Sequence, residues 1–288
     1  MSTNLIASVP SSNPFTKVGR ATIAVSLYLG GLAMLIWRAC RACFRADGQA
    51  RSLRVMVSAE LAWMFAMGLP LVGLIHIGLG SFLSMQAYFG GTFVDGTGAV
   101  VGVGLFRNVA PMMAGLTIAA LICARITPEL RISAIGSIAE ELGLPRLDRE
   151  GDRDRQVAAK LIAAMVSGFV LTFWACLVGT VVGWRVANQL MGVSTHSFFV
   201  MFRDMIWIED IVGALLKGLI FGGISAAFGC HEGLRWNDVS RPGAIANATF
   251  RATCLAWIAI LLVNSGWFLV FYHAGSAFGP TLMATPNS

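Results

Sequence analysis

Three charged side chains sit inside long apolar runs, and their chemistry is the first thing to explain. Arg107 lies in Leu105-Phe106-Arg107-Asn108, and Lys217 lies between Gly213 and Gly222. Asp210 precedes Lys217 by seven residues and shares its helical face. A charge at the centre of a membrane helix costs about 2.5 to 3.5 kcal/mol on insertion scales, so Arg107, Lys217 and Arg185 are the functional candidates. The guanidinium of Arg107 is a planar fork of donors, suited to a phosphate or a carboxylate. Its bland alternative is a salt bridge to a buried acid or a helix cap. Lys217 and Asp210 read as structural or interfacial. Arg185, near the far end of another apolar run, can snorkel to the interface.

Catalytic signals are weak. His76, His196, His231 and His273 are scattered, and none has metal-ligand spacing. No GxSxG elbow occurs. Lys17, Lys160 and Lys217 are the only lysines, and none is followed by the Ser or Thr of a phosphate-binding loop. No catalytic residue, metal site or cofactor is therefore expected in this chain, and any ATP it depends on must bind to another. The six cysteines read as small hydrophobes or reduced thiols. Cys40-x-x-Cys43 reads as a pair flanking a membrane helix rather than a redox or metal site.

The elements that must hold these residues follow from composition. Of 288 residues, 56% are hydrophobic and 12% charged, whereas a soluble domain carries about 25% charged residues. Too little polar surface remains to cover a globule, and no soluble catalytic domain fits beside the apolar runs. Residues 1–20 are polar, with Pro10 and Pro14, and do not read as a signal peptide. Ile23–Trp37 is short for a span and ends in Arg38, Arg41 and Arg45, which suits a helix lying in the membrane interface. Longer spans are expected near 61–88, 97–124, 157–190, 206–230 and 248–274.

Charge alternates along the connections. Residues 38–54 carry five Arg, 89–96 no basic residue, 125–155 six Arg, 191–205 only Arg203, 231–251 three Arg, and 275–288 none. The positive-inside rule puts the N-terminus, the 125–155 loop and the 231–247 loop in the cytoplasm and makes the number of spans after the first helix odd, namely five. The net charge of +6 is thereby spent on orientation; no basic soluble face points to nucleic acid. Within 125–155, Ile132–Leu142 fits a short amphipathic helix on the cytosolic side, a docking element. Gly98-Gly102, Gly179-Gly183, Gly218-Gly222 and Gly229-Gly233 have the small-residue spacing of close helix contacts.

From about Leu61 to Phe271 the chain resembles the MlaE/YrbE permease family, the membrane subunits of MCE-type lipid transporters. The resemblance lies in ordered fragments: Ser84-Met85-Gln86-Ala87-Tyr88, Arg107-Asn108-Val109-Ala110-Pro111, Thr127-Pro128-Glu129, Leu171-Thr172-Phe173-Trp174, Asp210-Ile211-Val212-Gly213, Lys217-Gly218-Leu219-Ile220-Phe221-Gly222, Cys230-His231-Glu232-Gly233 and Ala248-Thr249-Phe250-Arg251-Ala252. It implies an all-α polytopic membrane protein, with an N-terminal amphipathic elbow helix in residues 1–57 and five transmembrane helices in 58–288. It also implies a second permease copy forming a lipid cavity, an ATP-binding-cassette ATPase that binds ATP and Mg and docks on the 125–155 loop, and an MCE-domain protein on the far side of the inner membrane. On this reading Arg107 and Asn108 meet the lipid head group, and Gln86 is a further lipid-binding residue. Met85, Tyr88, Phe89 and Phe93 meet its acyl region, Glu129, Arg131, Glu140 and Glu141 couple to the ATPase, and Asp210, Lys217 and Arg251 are structural. Asn108 stands where the family usually has Glu, which leaves Arg107 without its expected internal carboxylate. The rival readings are a secondary transporter, which internal repeats would favour, and a membrane-bound lipid-modifying enzyme, for which His231-Glu232 is the one candidate pair.

Overall fold

The computed structural model describes residues 14–44, 50–89, 102–134, 150–235 and 243–270. Among them no strand occurs. The helices are α1 (Pro14–Phe44), α2 (Ala50–Phe89), α3 (Ala110–Ser133), α4 (Glu150–Met191), α5 (Thr195–Met205), α6 (Ile208–Leu234) and α7 (Ala244–Phe268). A π-helical turn, Leu105–Val109, leads into α3. Among the described residues, six helices are long and apolar enough to cross a membrane: α1, α2, α3 with its π turn, α4, α6 and α7. The last five match the expected spans. The first is longer than its apolar run suggests, because α1 extends well past Ile23–Trp37 on both sides.

Two sequence boundaries need correction. Residues 50–57 belong to α2 rather than to a polar tail. Residues 125–133 belong to α3 and 150–155 to α4, so the connection between them is much shorter than 125–155. Packing on α6 carries α3 through Pro128. Thr127 Oγ1 donates to the Gly229 carbonyl at 3.1 Å, and Gly233 sits so close that a Cβ there would lie 2.9 Å from the Thr127 oxygen. A proline inside a membrane helix is tolerated where neighbours hold the backbone in this way. Ile132 and Ser133 end α3, and the rest of the expected Ile132–Leu142 helix lies outside the described residues.

α2 packs along α4; α3 lies against α6, α7 and α4; α6 also contacts α4 and α7. The closest approaches use the small-residue pairs read from the sequence. A Cβ on Gly222 would overlap the Ala164 carbonyl, and one on Gly168 would overlap that of Gly218, so α4 and α6 meet backbone to backbone. Pro70 lies inside α2, and the neighbouring Leu69 carbonyl accepts from Trp174 Nε1 of α4 at 3.0 Å. α2 has 40 residues and α4 has 42. At 1.5 Å per residue each is about 60 Å long, roughly twice a bilayer's hydrocarbon thickness, so both project beyond it.

Candidate functional site

The π turn and Pro111 explain how polar groups gather inside the membrane. Ala110 N–H bonds to the Leu105 carbonyl, one residue farther back than in an α-helix. Pro111 has no N–H, so the Arg107 carbonyl loses its α-helical donor. Other helices supply replacements. Lys217 Nζ of α6 donates to the Arg107 carbonyl at 3.2 Å, and Cys176 Sγ of α4 approaches the Phe106 carbonyl at 3.8 Å. His76 of α2, fully buried, has Nε2 3.2 Å from the Ala110 carbonyl and Nδ1 2.7 Å from that of Val72.

The side chain of Arg107 turns toward the start of α6. Its Nη2 lies 2.9 Å from Asp210 Oδ2 and donates to the Met205 carbonyl at 2.8 Å. Asp210 is fixed because its carboxylate also accepts the Trp207 N–H at 3.1 Å, capping α6. This overturns the expectation that Arg107 lacks an internal carboxylate: the partner comes from another helix, not from position 108. Asn108 instead accepts from Asn264 Nδ2 of α7 at 2.9 Å. Lys217, also buried, lies 5.9 Å from the centre of the Trp267 ring. Arg107 Nε is buried with no hydrogen-bond partner. Among the described residues, Arg107 pairs with Asp210, while the Lys217 ammonium, on the same face of α6 as Asp210, bonds to the Arg107 carbonyl.

A second cluster lies at the end of the bundle where α2 and α4 begin and α3 ends. Lys160 of α4 is fully buried. Its Nζ donates to Glu60 Oε1 of α2 at 2.5 Å and to Glu129 Oε1 of α3 at 2.8 Å. Arg125 closes the square, with Nε 3.5 Å from Glu60 and 3.6 Å from Glu129, and its guanidinium stacks over Trp63 at 4.2 Å. Two acids meet two bases. Nearby, Glu232 at the end of α6 is gripped by Arg251 of α7 through Nε, at 2.9 Å, and Nη2. Arg251 therefore ties α7 to α6, and the Glu232 carboxylate is committed to this tie.

Of the residues singled out by sequence, Arg107, Asn108, Asp210 and Lys217 come together. Met85 and Gln86 are exposed near the end of α2. Tyr88 and Phe89 belong to the last turn of α2, while Phe93, Glu140 and Glu141 lie outside the described residues. Glu129 is engaged by Lys160, and Arg131 is buried. Sequence reasoning missed Glu60, Lys160, Arg125 and Asn264. Two signals were available. Glu60 is the only acid between Ala50 and Val94, and Arg125 and Glu129 stand four apart on one helix.

Apolar helices of membrane-crossing length, packed around buried charges, define a multi-pass membrane protein. Residues 57–269 match the family model described as Permease MlaE, and the chain belongs to that family. A probable ABC transporter permease protein of Synechocystis sp. is 24% identical over 177 residues, covering 62% of this chain, which spans 65% of that relative's length. Proteins of the same description from Rickettsia typhi and Rickettsia bellii are each 23% identical. The first covers 73% of this chain and 80% of its own length; the second covers 88% and 95%.

Proposed function

We propose that this chain is the membrane permease subunit of an ATP-driven lipid transporter of the inner membrane, with its N-terminus in the cytoplasm. Family membership and the names of its relatives support the ABC permease part of that reading. A separate ATP-binding-cassette subunit supplies ATP and Mg, and an MCE-domain protein receives or delivers lipid on the far side. α1 is the elbow helix. In support, the contacts of Tyr28 and Gly31 go to the last turns of α6, at Phe228, His231 and Arg235, rather than along its length.

The observation that carries the lipid reading is the charge balance around Arg107. Among the described residues, the partly exposed Arg107 and the buried Lys217 have Asp210 as their one neighbouring carboxylate, which leaves a net positive charge, and Arg107 Nε has no hydrogen-bond partner. An anionic head group on the Arg107–Asn108 side neutralises it. Met85 and Gln86, with Tyr88, Phe89 and Phe93, supply the adjoining lipid contact, and a second permease copy closes the cavity. Glu129 and Arg131 serve coupling indirectly. A push from the ATPase at Glu140 and Glu141 reaches α2 and α4 through the Lys160 network.

The test is lipid retention in the complex purified with its partners in mild detergent. Arg107→Ala is expected to retain about tenfold less anionic phospholipid, the worth of one charge-assisted hydrogen bond, while Arg107→Lys retains most of it. Lipid occupancy unchanged in Arg107→Ala removes the residue from the head-group role. Failure of any ATPase to co-purify or to crosslink at Glu140 rejects the ABC reading.

A further inference from the structure

Away from Arg107, a cavity of about 390 Å³ opens where α1 meets the end of α6. Leu27, Tyr28 and Leu35 of α1 form one wall; His231, Leu234 and Arg235 form the other. Gly31 permits this approach, since a Cβ there would lie 2.9 Å from His231 Nε2. The leucines make an apolar slot. The polar groups collect at one end of it. Arg235 lies 5.5 Å from the centre of the Tyr28 ring, with its side chain nearly half exposed. Tyr28 meets the His231 ring edge-on at 4.5 Å. His231 Nδ1 is buried with no hydrogen-bond partner.

The charges here are unbalanced too. Glu232 is fully buried, held by Arg251, with Arg235 3.7 Å from its second oxygen. Arg153 Nη2 donates to the Leu234 carbonyl at 3.4 Å. Among the described residues, the Arg235 and Arg251 guanidiniums therefore share the Glu232 carboxylate, with Arg153 held at the neighbouring Leu234 carbonyl. Arg235, as exposed as Arg251, is the one that lines the groove, and it stands at the end of a membrane-length helix, at the depth of lipid phosphates.

We propose that this groove binds an anionic phospholipid of the adjacent leaflet, with one acyl chain between α1 and α6 and its phosphate on Arg235. The slot is apolar where a chain would lie and cationic where a phosphate would lie. The site is separate from the Arg107 cluster, and its failure leaves the permease reading untouched.

Photocrosslinking of the full chain in phosphatidylcholine vesicles tests it. Two probes carry the same diazirine acyl chain, one on phosphatidylglycerol and one on phosphatidylcholine. Crosslinks are mapped to the α1 peptide around Leu27–Leu35 and the α6 peptide around His231–Arg235. The anionic probe is expected to label these peptides about tenfold more than the zwitterionic one, and Arg235→Gln is expected to erase the difference. Ala24→Trp, which fills the slot from an exposed position, lowers labelling by both probes. Equal labelling by the two probes in the natural sequence overturns the proposal, as does an anionic preference that survives Arg235→Gln. If Arg235→Gln fails to assemble, Ala24→Trp decides, and undiminished labelling overturns the site. Labelling lost in Arg107→Ala also overturns it, because the signal then comes from the other cluster.

Discussion

The clusters around Lys160 and Arg107 bury comparable charge for different ends. Around Lys160, two acids and two bases balance one another in charge across α2, α3 and α4. Around Arg107, the guanidinium pairs with Asp210 and bonds the Met205 carbonyl, and Lys217 takes up the Arg107 carbonyl freed by Pro111. A square of paired charges locks three helices into one arrangement. An open cluster holds its helices while keeping a charge unspent. On the proposed lipid reading, the contrast separates a weld from a receptor.

Breaking the square gives the largest effect. Lys160→Met leaves Glu60 and Glu129 facing each other without their shared cation, and loss of a buried partner costs about 3 to 5 kcal/mol. Thermal unfolding in detergent is expected to shift sharply downward, with no dependence on added lipid. A shift within error would show that Arg125 alone balances both acids. Asp210→Asn comes next. Its carboxylate and Arg107 are partly exposed, so a loss of about 2 kcal/mol is expected. Here anionic phospholipid should recover part of the stability, whereas zwitterionic lipid should not. Equal recovery by both lipids would erase the distinction between the clusters. Asn264→Ala, which removes a neutral bond to Asn108, is the mildest. It should cost about 1 kcal/mol and alter anionic lipid retention less than Arg107→Ala does.

The five apolar spans were legible because hydrophobic length and alternating basic connections are one-dimensional signals. The shared face of Asp210 and Lys217 was legible for the same reason. The Arg107–Asp210 pair was not, because it joins residues about a hundred positions apart, and Asn108 drew attention to the wrong neighbour. The Lys160 square was invisible because its members lie on three helices, each with an ordinary-looking charge near a membrane boundary. The extent of α3 was misread because Pro128 is a local stop signal, and contacts with Gly229 and Gly233 override it. Sequence periodicity reports the faces of a helix; which faces meet is decided by packing.

α2 carries Glu60 near one end and Met85 near the other, along one unbroken helix with Pro70 between them. The two residues are 25 positions apart, about 38 Å at helical rise. Any displacement imposed on the Glu60 end has only two outlets. It is transmitted to the Met85 end as a lever transmits it, or it is absorbed as a bend at Pro70, the one joint where the helix lacks a backbone hydrogen bond. The Trp174 bond to Leu69 sits beside that joint, so the stiffness of the lever is set from α4 and not by α2 alone.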